Sequence, residues 1–167
     1  MKPETAANIV GAFALAICDG IREAVDGRAG SQAAAALVHL SKYGDEPIDA
    51  LRRPLRLSHP GCVRLVDRLE EQKLVVRGAG EDRRARPLRL TPAGASAART
   101  VLRRREAALR RALAALTPRE QQTLGRLAAK ALAALIEDEA QALTVCRLCD
   151  YGACPDDDCP AAKALTT

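Results

Sequence analysis

Between Ser58 and Leu90 the hydrophobic period changes once, and that change constrains the fold more than any other feature of the chain. Cys62, Leu65, Val66 and Leu69 stand at i, i+3, i+4 and i+7, one apolar face of a helix, with Arg64, Asp67, Arg68 and Glu71 opposite. Ser58 is placed to cap that helix, and His59, Pro60 and Gly61 form its first turn. After Lys73 the period becomes strand-like at Leu74-Val75-Val76. A polar, glycine-containing stretch follows from Arg77 to Arg86, and Pro87-Leu88-Arg89-Leu90 alternates as a returning strand. The pattern predicts a helix followed by a β-hairpin with a long basic tip.

Helices are expected on both sides. Residues 5–26 carry Ile9, Phe13, Ile17, Ile21 and Val25 at four-residue spacing and read as one long helix, ended by Gly27 and Gly30. Ser31 then caps an Ala-rich helix over 32–41, and Pro47 starts another short helix that Pro54 curtails. Thr91-Pro92 opens a helix over 92–115, and the capping box Thr117-Pro118-Arg119-Glu120 opens one over 118–143. These last two are longer than a small domain needs, which points to a partner subunit.

Composition narrows the function. One Phe, two Tyr and no Trp leave a core of Leu, Val and Ala, suited to packed helices, and argue against the base-stacking single-strand binders. Charge is segregated: residues 52–111 hold seventeen Lys and Arg against six Asp and Glu, while residues 137–167 hold two against seven. A basic centre between acidic ends suits a polyanionic partner. Two histidines and no nucleophile–base set or phosphate loop give no support to an enzyme. The apolar stretch Ile9–Cys18 is flanked by Glu4 and Asp19 and reads as a buried helix rather than a signal peptide or membrane span, so a cytoplasmic protein is expected.

Helix, turn, helix and basic hairpin is the order of a winged helix-turn-helix. One helix enters the major groove, and arginines on the hairpin reach phosphate or minor groove. Leu57-Ser58, the run Arg64-Leu65-Val66-Asp67-Arg68-Leu69-Glu70, Leu74-Val75 with Arg77, Asp82-Arg83-Arg84-Ala85 and the segment Leu88–Gly94 (LRLTPAG) stand in order at fitting spacings. Through these motifs the chain resembles the MarR family of dimeric transcription regulators, from Gln32 to Ile136, nearly two-thirds of its length.

The resemblance implies a mainly α fold with a small β-hairpin wing. Helix 1–30 and helices 92–143 would form the dimerisation region around a DNA-binding lobe at 31–91, with a cysteine-rich tail at 144–167. Arg64 and Arg68 would sit at the groove, with Ser58 and His59 at the helix start. Asp82 and Arg84 would be the wing's Asp-x-Arg pair, flanked by Arg77, Arg83 and Arg86. A homodimer on a pseudo-palindromic operator follows, with half-sites about one helical turn apart. Family members often bind small-molecule effectors between the dimer helices and the DNA-binding lobes. Lys73 stands where the family usually has Gly, and Gly61 and Val63 replace small hydroxyl residues. Asp67 is expected to pair with an arginine four residues away.

Cys146, Cys149, Cys154 and Cys159 follow C-x2-C-x4-C-x4-C. Four thiols this close suit an iron–sulfur cluster or zinc, with reversible disulfides or a metal-free tail as the alternatives. A metal or redox centre there would bias the spacing of the recognition helices. Cys18 and Cys62 lie on apolar faces and read as small core residues, with Cys62 at a helix N-terminus that favours a reactive thiolate. The expectation is a sequence-specific double-stranded DNA-binding repressor. The rival is a metal or iron–sulfur redox protein that uses the winged helix as a protein-interaction module. A steep salt dependence of DNA affinity separates the two.

Overall fold

The computed structural model describes residues 1–26, 30–78, 86–154 and 159–165. The order is α1 (Pro3–Val25), α2 (Ser31–Tyr43), β1 (Glu46–Pro47), a 3-10 turn (Ile48–Leu51), α3 (Arg52–Leu55), α4 (His59–Glu71), β2 (Val75–Arg77), β3 (Pro87–Leu90), α5 (Pro92–Leu113), α6 (Pro118–Ala133), α7 (Glu139–Cys146) and α8 (Pro160–Lys163). The mainly helical fold with a small sheet is as expected. The sheet is antiparallel in the order β1-β3-β2, with Val75 opposite Leu90 and Glu46 opposite Leu88. The expected hairpin is β2–β3. The third strand, β1, is two residues long, too short to carry a period.

Leu37, Leu40, Leu51, Leu65, Leu69 and Leu88 form the centre of the core with Cys62 and Val66, so the apolar face of α4 is buried as its spacing predicts. Ala33 to Ala36 are all buried, and their small side chains let α2 lie close to its neighbours on every side. Ser31 begins α2 but does not cap it. Gly30 holds the cap position at φ +81°, a region glycine enters without steric cost. Pro47 leads into the 3-10 turn, and Pro54 sits inside α3, which instead stops where Arg56 turns left-handed at φ +52°.

Two expectations on the long helices change. Helix α1 is not buried within the protomer: only its C-terminal end packs inward, while Ile9, Val10, Phe13 and Leu15 are exposed. By length and composition it is apolar enough to cross a membrane, with a mean hydropathy of 1.3, because Ile9, Val10, Phe13, Leu15 and Ile17 stand among alanines between Glu4 and Asp19. The expected helix over 118–143 is split. Helix α6 ends at Ala133, and Asp138 starts α7 by accepting a hydrogen bond from the Gln141 amide at 2.7 Å. Ile136 turns inward with Ala142 and Ala161, folding the chain back on itself.

Candidate nucleic-acid interface and cysteine cluster

Helix α4 is positioned from three sides. Its core face is locked among α2, the 3-10 turn and the sheet. Ser58 caps it, the hydroxyl accepting from the Gly61 amide at 3.3 Å. The His59 ring is hydrogen-bonded through Nδ1 to Asp49 at 2.8 Å, tying the helix start to the 3-10 turn. Arg64 and Arg68 are therefore held exposed on the far face, about 6 Å apart along the axis.

The wing is braced on the same helix. Arg77 of β2 reaches back to Asp67 at 2.7 Å and to the Glu70 carboxylate, and its own amide donates to Glu70 at 3.2 Å. Its side chain is only 14% exposed. Asp67 thus pairs ten residues away and not four, because the hairpin presents a cation to the α4 face where Asp67 and Glu70 sit one turn apart. Asp82, Arg83 and Arg84 lie outside the described residues, and Arg86 is half-buried at the start of the returning strand. Two arginines that the sequence reasoning passed over also face solvent. Arg56 stands in the turn between α3 and α4, and Arg89 of β3 pairs with Asp45. Arg56 falls in no periodic pattern, whereas Arg89 is the exposed position of the alternating strand Pro87–Leu90.

At the far end of α4 the chain turns at Lys73 (φ +57°), the residue standing where glycine is usual. The Thr91 hydroxyl and amide then bond the Lys73 and Leu74 carbonyls at 2.7 and 3.0 Å, closing the hairpin against the start of α5.

The C-terminal segment lies on this same lobe. Thr144 of α7 donates to the Arg53 carbonyl at 3.1 Å, and Glu139 pairs with the Arg53 guanidinium at 3.3 Å. Leu148 packs on the main core. Tyr151 meets Tyr43 edge-on at 5.8 Å, with the Lys42 ammonium 4.2 Å from the Tyr151 ring centre.

Cys146 ends α7, and the Cys149 amide donates to the Cys146 carbonyl at 2.8 Å, a turn that brings the two thiols together. The Cys146 thiol is within hydrogen-bonding reach of Cys159 and hydrogen-bonds Cys149. That hydrogen bond lowers the Cys149 thiol to about 6 against the opposing effect of burial, helped by the Arg105 and Arg147 guanidiniums. The same bond, with burial, pushes Cys146 well above the ordinary thiol range. Among the described residues no three His, Cys, Asp or Glu side chains are arranged to hold a metal ion.

The other two thiols differ. Cys62 is fully buried, and burial pushes its thiol up in spite of its place near a helix N-terminus. Cys18, expected in the core, is exposed because its face of α1 turns away from the protomer's own core. It lines a cleft of about 470 Å³ together with Arg22, Arg105, Arg147 and Cys149, between α1 and the winged-helix lobe.

No family model matches the sequence, and no curated protein does. Solved structures do match in fold. The YusO protein from Bacillus subtilis is 22% identical with a TM-score of 0.67, over 79% of this chain and 98% of that chain. A MarR family protein from Bacillus stearothermophilus is 24% identical with a TM-score of 0.65, over 78% and 94%. A MarR family protein of Mycobacterium tuberculosis, Rv2887, solved in complex with salicylic acid, is 24% identical with a TM-score of 0.54, over 72% and 93%. The winged helix expected from the motifs is the fold these proteins share with the chain.

Proposed function

We propose, from the fold the chain shares with MarR-family transcriptional regulators, that it is a sequence-specific regulator binding double-stranded DNA, and not an enzyme. The observation that carries this reading is the exposure of Arg64 and Arg68, one turn apart, on a helix whose other face is fixed in the core. A helix so presented offers guanidinium forks to base edges and phosphates. In this reading Arg83, Arg84 and Arg86 serve the wing, and Arg56 and Arg89 add phosphate contacts beside α4. Arg77, Ser58 and His59 brace the helix that does the reading.

The acting unit is a homodimer, repressing from a pseudo-palindromic operator. The exposed apolar residues of α1 and α6, among them Val10, Leu15 and Leu127, supply its interface. This assigns the apolar length of α1 to a subunit contact in the cytoplasm and not to a membrane. The cleft between α1 and the lobe, flanked by Arg22, Arg105 and Arg147, suits a small organic anion as effector. A metal or redox centre at Cys146, Cys149, Cys154 and Cys159 modulates DNA binding in this reading, which the closeness of Cys146, Cys149 and Cys159 supports.

Fluorescence anisotropy with labelled duplex across a salt series tests the reading. Affinity falling steeply with salt, and falling further in Arg64→Ala, supports it. Binding to no duplex, by a protein that sediments as a folded dimer, favours the rival protein-interaction module. Sedimentation without detergent tests the assignment of α1: a protein that stays in solution only with detergent refutes it.

A further inference from the structure

We propose that Pro60 and Val63 form an apolar shelf beside Arg64, and that the shelf reads a thymine 5-methyl group one or two base pairs from a guanine read by Arg64. The proposal rests on the DNA-binding reading above and adds the kind of sequence that is bound.

Over the first two turns of α4, burial removes Cys62, Leu65 and Val66 from the surface. The side chains left on the outer side are His59, Pro60, Val63 and Arg64. His59 is turned to Asp49 of the 3-10 turn by its hydrogen bond at 2.8 Å. Ser58, just ahead of the helix, is engaged as its cap. Pro60 has neither an amide hydrogen nor a polar side chain, and Gly61 has no side chain to offer. The start of a recognition helix is the part that meets base edges, and here it presents carbon.

Pro60 is a neighbour of both Val63 and Arg64, since helix residues three and four apart hold their Cβ atoms about 5–6 Å from one another. Pro60 is exposed. Val63 is half-buried against the core of the lobe, which leaves one edge in solvent and adds to the stiffness of a β-branched side chain. Arg64 is kept available by the brace on the wing. Asp67 stands three residues on and would otherwise attract its guanidinium, but Arg77 holds that carboxylate at 2.7 Å. Among the described residues no hydrogen bond or ion pair engages the Arg64 side chain.

Chemistry then selects the bases. The guanidinium fork matches the O6 and N7 acceptors of guanine. Along the base edges of the major groove the thymine 5-methyl is the apolar group, and the rest are donors and acceptors. Against a donor or acceptor the shelf would remove water and give no hydrogen bond in return, whereas against the methyl two apolar surfaces leave water together. Successive bases of a strand are about 3.4 Å apart, so a shelf about 5–6 Å from the Arg64 Cβ lies one or two base pairs from the guanine.

The test selects a short duplex from a random pool with the full-length protein and titrates it by fluorescence anisotropy. Each thymine is replaced in turn by deoxyuridine, which lacks the 5-methyl group and keeps every hydrogen-bonding atom. Each guanine is replaced by 7-deazaguanine, which lacks the N7 acceptor. The expected result is one thymine in each half-site whose replacement lowers affinity about fourfold, and about fifteenfold when both are replaced, as for one buried methyl group in each. That thymine should stand one or two base pairs from a guanine whose N7 is required. In Val63→Ala the two duplexes should bind alike within about twofold, and in Arg64→Ala the 7-deaza replacement should no longer matter. The first comparison sets two DNAs against the natural protein, so a variant that misfolds does not weaken it.

Deoxyuridine tolerated at every position near the required guanine overturns the proposal. So does a preference for thymine that survives intact in both Val63→Ala and Pro60→Ala. A protein that selects no duplex defeats the DNA-binding reading and the shelf together, whereas one that binds a duplex without regard to the methyl group defeats the shelf alone.

Discussion

Replacing Gly94 with alanine should cost the protein about 2–4 kcal/mol, because the third residue of α5 lies hard against the end of the hairpin. A Cβ at Gly94 would stand 1.9 Å from the Leu74 carbonyl oxygen, against a limit of 3.0 Å for real contacts. The obstacle is backbone, so no side chain can rotate out of the way. Either α5 or the start of β2 must move by about 1 Å, and overpacking of this kind typically costs about 1–3 kcal/mol. The movement also pulls Thr91 from the Lys73 and Leu74 carbonyls, two hydrogen bonds at 2.7 and 3.0 Å worth roughly 1 kcal/mol each. Alanine's better helix propensity returns about 1 kcal/mol. Against a total stability of about 5–15 kcal/mol the remainder is large. Urea denaturation followed by far-ultraviolet circular dichroism, at one fixed protein concentration, reads it as a lower midpoint with an unchanged slope. A loss below about 0.5 kcal/mol would refute the close approach of α5 and β2.

Other outcomes follow from the same coordinates. Arg64→Ala and Arg84→Ala should each weaken DNA binding by about 1–3 kcal/mol with the dimer still folded, and unchanged binding by both at physiological salt would remove them from the interface. Arg77→Ala should lower stability by about 1–2 kcal/mol, since Asp67 and Glu70 are left beside each other without their cation; a denaturation midpoint equal to the natural protein's would contradict that bracing role. Lys73→Gly should raise stability by up to about 1 kcal/mol by relieving its left-handed backbone, and a lower thermal midpoint would count against that strain. Alkylation of Cys149 by iodoacetamide should run at full rate above its lowered pKa and fall as pH drops through about 6, where the thiolate is protonated. In Cys146→Ala the midpoint should move up towards the ordinary thiol value near 8.5, and a midpoint unmoved by the substitution would show that Cys146 does not set it.

The winged-helix lobe was readable from residue patterns because its elements are specified locally. Cys62, Leu65, Val66 and Leu69 define the buried face of α4 by spacing alone, and Ser58 and the Thr117–Glu120 box mark helix starts through their own side chains. No arginine stands four residues from Asp67, since positions 63 and 71 are Val and Glu, and its partner Arg77 arrives from the next strand. The split between α6 and α7 was hidden in continuous helical composition. It depends on Ile136 meeting Ala142 and Ala161, contacts that exist only after the tail folds back. Cys18 shows the same limit in reverse: an apolar face was legible, but the face that a protomer leaves uncovered was not. The cysteine spacing flagged Cys146 and Cys149, while the arginine nearest them in charge, Arg105, lies 44 residues earlier on another helix.

The grip of α7 on α3 joins residues 86 and 91 positions apart, Arg53 with Glu139 and with Thr144. Apart from Leu148, the residues of the lobe's core end at Ala98, so nearly all of it is in the emerging chain before α7 leaves the ribosome. Loop-closure cost grows only slowly with length, so late docking carries little penalty. Its contacts with Arg53 are also few and exposed, which places α7 among the parts that open before the whole molecule unfolds. Amide exchange in α7 should then proceed through a local opening while α2 and α4 stay protected. A helix added late and released early can come and go without costing the lobe its fold.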